Sequence, residues 1–97
     1  MLIRVVRMTF KQAEVDAFLE LFESTKEKIR NFEGCEHLEL LQDKHQQNIF
    51  VTCSHWQSEA HLNAYRNSSL FGQVWKETKA KFAEKPIAFS LEKLIEI

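Results

Sequence analysis

The period of the apolar residues changes along this chain in the order strand, helix, strand, strand, helix, strand, and that order constrains the fold more than any other feature. Leu2 to Phe10 is β-branched and ends at a polar stretch, as expected of a strand. Ile3 and Val5 fall on one face, and Val6, Met8 and Phe10 on the other. Both faces are apolar, so the segment reads as a central strand. From Gln12 to Asn31 the spacing becomes helical: Val15, Phe18, Leu19, Phe22 and Ile29 share a stripe. Acids lead and bases trail, as the helix dipole favours, and Gly34 supplies a stop.

Cys35–Gln42 and Ile49–Trp56 are extended runs joined by a polar loop, residues 43–48, of hairpin length. The second is nearly continuous in apolar or β-branched residues and also reads as central. Ser58 is a predicted N-cap for a short helix to about Arg66, and Asn67-Ser68-Ser69 breaks or recaps it. A longer helix follows with Phe71, Val74, Trp75, Thr78 and Phe82 on one face, stopped by Lys85-Pro86. The last predicted strand runs from Ile87 to Ile97.

The order β-α-β-β-α-β, with right-handed crossovers, gives a ferredoxin-like α+β fold. Its four-stranded antiparallel sheet has the first and third strands in the middle, the two that read as central from their side chains alone. Both helices then cover one face, and the other stays apolar with nothing in the chain to cover it. A second copy is the economical cover, so a homodimer packed sheet to sheet is expected.

At 97 residues the chain is expected to form one domain, residues 1–97, with a small core of its own. Thirteen Lys and Arg balance 14 Asp and Glu, which gives no net attraction to nucleic acid or an anionic membrane. No apolar run is long enough to span a bilayer, and two arginines interrupt the apolar N-terminus, so no signal peptide is read. A cytoplasmic protein is the expectation. Cys35 and Cys53 then read as free thiols in a reducing compartment.

No phosphate-binding glycine loop, zinc-protease, nucleophile-elbow or EF-hand motif is present. Two His–Cys pairs, His37 with Cys35 and His55 with Cys53, lie on neighbouring predicted strands. Their spacing matches no zinc module, and a one-residue slip would send them to opposite faces, so no metal is assigned. His45 belongs to the solvated loop. His61 stands three residues after the Ser58 cap, where it either sits over the first helical turn or acts as a base. The sharper group is aromatic. Trp56, Tyr65, Phe71 and Trp75 are placed between helices and sheet, with Arg7, Met8 or Phe10 reaching in from the first strand. They form either ordinary core or a flat apolar pocket with a few polar handles.

The stretch from Trp56 to Phe71 resembles the antibiotic biosynthesis monooxygenase family. The similarity rests on Trp56, Ser58, Tyr65 nine residues after the Trp, and Ser68-x-x-Phe71, together with the order of elements over essentially the whole chain. The resemblance implies a dimeric α+β barrel and a pocket between sheet and helices. It also implies an oxygenase that needs no cofactor and acts on a phenol- or quinol-type aromatic. In that chemistry the deprotonated substrate passes an electron to dioxygen, and the protein supplies a dry pocket and a base or donor. Tyr65 and His61 are the candidate catalytic residues, and Trp56, Phe71, Trp75, Arg7 and His37 the candidate substrate-binding ones. Many members carry His where this chain has Tyr65, and a phenol with an ordinary pKa near 10 is a poor base at pH 7. The haem-degrading branch is less similar: its ligand falls near Trp75, and Trp cannot ligate iron. A non-catalytic ligand-binding dimer on the same scaffold is the competing reading.

Overall fold

A computed structural model describes all 97 residues. Strand β1 spans Leu2–Thr9, and a 3-10 turn at Gln12–Glu14 leads into helix α1, Val15–Arg30. Strands β2, Cys35–Gln42, and β3, Ile49–Trp56, form a hairpin. Helices α2, Glu59–Arg66, and α3, Ser69–Lys79, precede strand β4, Ile87–Glu92. The sheet order is β2-β3-β1-β4 with every pair antiparallel, so β1 and β3 are central as their sequences imply.

Local chemistry sets the helix ends. Asp16 stands in the first turn of α1, and Lys28 and Arg30 in the last, each complementing the dipole. The Arg30 guanidinium donates to the Cys35 carbonyl at 2.7 Å, which ties the helix end to the start of β2. Between them Gly34 holds φ +90°, a left-handed conformation suited to glycine. Ser58 caps α2 by accepting from the His61 amide at 3.2 Å. Ser68 serves both helices: it accepts from the Phe71 amide at 3.1 Å and donates to the Tyr65 carbonyl at 2.6 Å. That one hydroxyl sets the bend between α2 and α3.

Three boundaries differ from the sequence reading. Gln12–Glu14 is 3-10 rather than α-helical, and Glu14 at the N-cap makes no side-chain cap. Helix α3 ends at Lys79, not at Lys85-Pro86. The backbone beyond it is drawn to the end of β1 instead: the Lys11 amide donates to the Lys81 carbonyl at 3.0 Å, and the Ala83 amide to the Thr9 carbonyl at 2.8 Å. Phe82 thereby bridges Phe10 instead of continuing the helical stripe. Strand β4 ends at Glu92, because its partner β1 begins at Leu2, opposite that residue. Residues 93–97 have no regular structure.

All helices lie on one face of the sheet. Two buried clusters fill most of the space between. One holds Met8, Phe10, Phe18 and Phe50, with Phe10 fully buried and its ring 4.1 Å from that of Phe18. The other holds Ile29, Cys35, Trp56, Leu62 and Tyr65. On the opposite face Leu41, Ile87, Phe89 and Leu91 are exposed, and all of β4 is accessible. No helix is long and apolar enough to cross a membrane.

Candidate functional site

Strand alternation decides what β1 sends toward the helices. Arg4, Val6 and Met8 point inward, while Ile3, Val5 and Arg7 point outward. On β3 the inward set is Phe50, Thr52, Ser54 and Trp56. Over these residues α1, α2 and α3 leave a cavity of about 290 Å³.

An almost continuous aromatic path forms its wall. Trp56 is buried and stacks on Tyr65, with ring centroids 5.0 Å apart and planes at 25°. Tyr65 meets Phe71 edge-on at 5.2 Å, and Phe71 stacks on Trp75 at 5.8 Å. Trp75 then meets Phe82 at 5.6 Å, which joins the path to the Phe10 cluster. The four aromatics picked from the sequence all line this one cavity. They are wall and core at once: ring packing fixes their positions, and the space beside them is left unfilled.

The polar groups in the lining divide by whether they are occupied. Ser54 Oγ accepts from the Trp56 indole N–H at 2.9 Å, and Thr78 donates to the Val74 carbonyl at 2.8 Å. The Tyr65 hydroxyl has no partner within the chain, yet it is not a sealed, unsatisfied atom. Tyr65 itself lines the cavity. Burial pushes its pKa up from the ordinary phenol value, with the Cys35 thiol adding in the same direction. At neutral pH Tyr65 is a neutral donor and acceptor, and no base.

The cavity is flanked by two guanidiniums, Arg4 and Arg66. Arg4 donates one hydrogen bond, 3.1 Å, to Ser90 Oγ. Neither arginine has an acidic partner; the ion pairs of the chain are Lys26–Glu23, His37–Glu39 and Lys93–Glu96.

The other residues singled out from the sequence lie elsewhere. Arg7 is on the outer face, where the parity of Ile3 and Val5 puts it; Arg4 occupies the inward place that the sequence reading gave to Arg7. Phe10 does not reach the cavity and is sealed in the phenylalanine cluster, while Met8 does line it. His61 is set into the backbone: Nδ1 lies 2.7 Å from Ser58 Oγ, and its side chain packs so closely on Gly34 that a Cβ there would collide with it. His37 is on the outer face, directly opposite His55, with ring centroids 4.8 Å apart and Nε2 2.8 Å from Glu39 Oε1. Cys53 shares that face opposite Glu39. A register shift between Cys35 and His37 instead turns Cys35 into the core, so the two His–Cys pairs do not converge. Burial raises both thiols above the usual pKa. The sequence reading missed Arg4 and Arg66. Arg4 was accessible to it, because Arg4 shares parity with Val6 and Met8.

No curated protein sequence matches the chain. Solved structures do. One described as an antibiotic biosynthesis monooxygenase superposes with a TM-score of 0.91 at 20% identity, covering 98% of this chain and all of that one. A conserved protein from Methanosarcina mazei gives 0.90 at 22% identity, covering 97% and 94%. A protein from Mycobacterium tuberculosis gives 0.89 at 16%, covering 98% and 96%. At these identities the likeness establishes the fold. The family model described as antibiotic biosynthesis monooxygenase matches residues 1–77, which include β1 to β3 and nearly the whole aromatic wall. The chain belongs to the antibiotic biosynthesis monooxygenase family.

Proposed function

We propose that this protein is a monooxygenase that works without a cofactor on a flat, electron-rich aromatic of the phenol or quinol type. The observation that carries the proposal is the cavity itself: about 290 Å³, lined by Trp56, Tyr65, Phe71 and Trp75, with a phenol hydroxyl that no group of the chain engages. Aromatic walls bind a flat ring by area and stacking, and a few polar groups fix its orientation. Family membership supports the reaction class.

In the balanced reaction a substrate CH₂ flanked by aromatic rings becomes a carbonyl, and dioxygen supplies one oxygen atom to the product and one to water. The substrate first gives up a proton to water and becomes an anion. That anion gives an electron to dioxygen, and the two radicals combine as a peroxide anion, which takes a proton back to become the hydroperoxide. Loss of water then leaves the carbonyl. All electrons come from the substrate, so no flavin, metal or nicotinamide is called for. Tyr65 acts as a donor to the substrate oxygen, and Trp56, Phe71 and Trp75 hold the ring in a water-poor site. His61, bound to Ser58 and packed on Gly34, is a positioning residue for α2 in this proposal. The haem-degrading reading lacks support, because α3 carries Trp75 and no histidine.

The working unit is proposed as a homodimer in which a second copy covers the outer face, closing the dimeric α+β barrel. Exposed Leu41, Ile87, Phe89 and Leu91 support it. The oxygenase proposal is tested by dioxygen uptake with a panel of phenols, quinols and anthrone-type compounds in the absence of added cofactor. Tyr65→Phe should keep the fold and lose about 5- to 150-fold in rate, the value of one hydrogen bond to the developing anion. No uptake above background across the panel, with Tyr65→Phe lowering the melting temperature by several degrees, would leave a packed aromatic scaffold instead of an enzyme.

A further inference from the structure

We propose that the ligand of the cavity is an aromatic anion, a carboxylate-bearing ring system, whose charge is received by Arg4 and Arg66. This inference rests on the reading of the cavity as a ligand site and adds the chemical class of the ligand. Arg4 stands on a central strand and points toward the helices, a position where a charged side chain is costly unless paired. Its strand neighbours cannot pair it: it lies opposite Ser54 on β3 and Ser90 on β4, and only Ser90 bonds it. The charged side chain that acts on it is another cation. Arg66, at the end of α2, lines the same cavity and acts on Arg4 with like charge; burial first and Arg66 second draw the Arg4 guanidinium down from its ordinary value. A half-buried guanidinium and a second one at the exposed edge, beside a mostly apolar space, leave a place for an anion. A carboxylate accepts from planar guanidinium donors in a fixed geometry, and its ring would lie along Trp56, Tyr65 and Phe71. The same positive field would also favour loss of the proton at the ring system's CH₂ or phenol, which gives the anion from which electron transfer to dioxygen starts.

Trp56 and Trp75 both line the cavity and are the only tryptophans, so their fluorescence reports occupancy. The test titrates one-, two- and three-ring aryl carboxylates, each against its neutral carboxamide, into the full chain. At least one carboxylate should bind about ten- to 100-fold tighter than its amide. Arg4→Gln should erase most of that ratio while leaving the amide affinity in place. Arg66→Gln changes an exposed residue, so it keeps the test usable if the Arg4 variant folds poorly; it should reduce the ratio as well. Equal binding of acid and amide, or a ratio untouched by Arg66→Gln in a folded protein, would overturn the anion while the cavity stands as a site for neutral rings. If no member of either series quenches the tryptophans, the ligand site and the anion fall together.

Discussion

The two faces of the sheet are made from the same strands, by alternate residues, and they meet opposite fates. The inner face is roofed by helices but not completely filled, which leaves a cavity beside Trp56 and Tyr65. The outer face is about as apolar along β1 and β4 but has no roof, and Ile87, Phe89 and Leu91 stay about half exposed. A roofed gap is the size of a small molecule, whereas an open apolar face is the size of another protein surface. The polar residues follow the same division. The inner face keeps an unpaired Arg4 and a free phenol hydroxyl, and the outer face pairs His37 with Glu39 beside His55.

Filling is deepest at the Phe10 end of the inner face, so the largest effect is expected there. Phe10 is fully buried against Phe18, Phe50 and Phe82. Phe10→Ala should cost about 3–5 kcal/mol in urea unfolding. A loss below about 1 kcal/mol would mean that this end is as loosely filled as the cavity. Next comes Gly34→Ala, where a Cβ meets His61 and φ is +90°. The His61 atoms it would meet include its own Cβ and cannot swing aside. Destabilisation of about 2–4 kcal/mol is expected, from backbone strain plus overpacking. If His61→Gly, which removes that Cβ, rescues the double variant by about 1 kcal/mol or more, on the order expected for coupled neighbours, the clash is confirmed as the larger part.

Sequence made the inner face legible because periodicity reports which residues need cover. The order of elements, the central place of β1 and β3 and the four aromatics of the wall follow from apolar spacing and strand alternation. What spacing does not report is whether a covered face is filled, since Trp56 and Tyr65 look the same as core and as cavity wall. Arg4 and Arg7 show the limit of a residue picked by type: only parity separates them. His61 drew attention as a potential base, yet its setting depends on Gly34, 27 positions earlier in the chain. Helix α3 stopped early because backbone bonds to Thr9 and Lys11 compete with its continuation, a long-range event that no local stop signal announces.

The outer face is sharpened by a charge. Phe89 lies on β4 at 43% exposure, so Phe89→Asp should change the stability of an isolated chain by less than about 1 kcal/mol. In a homodimer closed over this face it would bury a carboxylate and weaken association by at least about tenfold. Light scattering at low micromolar protein should give twice the chain mass for the parent and the chain mass for the variant. A parent that is monomeric with native spectra would show that the open face is tolerated in water.

The smallest effect comes from pH, and the two faces should respond at opposite ends of the scale. On the inner face Tyr65 ionises less readily than it would unfolded, because burial disfavours the phenolate. A raised acid pKa adds stability that is present below the ordinary value of 10.0 and is lost as pH climbs above it. On the outer face His55 is held below its ordinary value of 6.5, first by burial and then by the nearby charges of His37 and Lys93, against weaker pulls from Glu39 and Glu96. The unfolded chain therefore binds that proton more readily than the folded one. Stability should be level above pH 6.5 and decline as pH falls below it. The ring is partly exposed and screened by water, so the whole decline should stay well under about 1 kcal/mol. Melting temperatures across this range should show a shallow acid slope that His55→Gln flattens, and Tyr65→Phe should flatten only the alkaline one. The acid slope should also steepen at concentrations that favour association, since a second copy over the outer face removes more water from His55. A slope independent of protein concentration, with His55→Gln still effective, would place the histidine's burial within one chain and remove pH as a reporter of what covers that face.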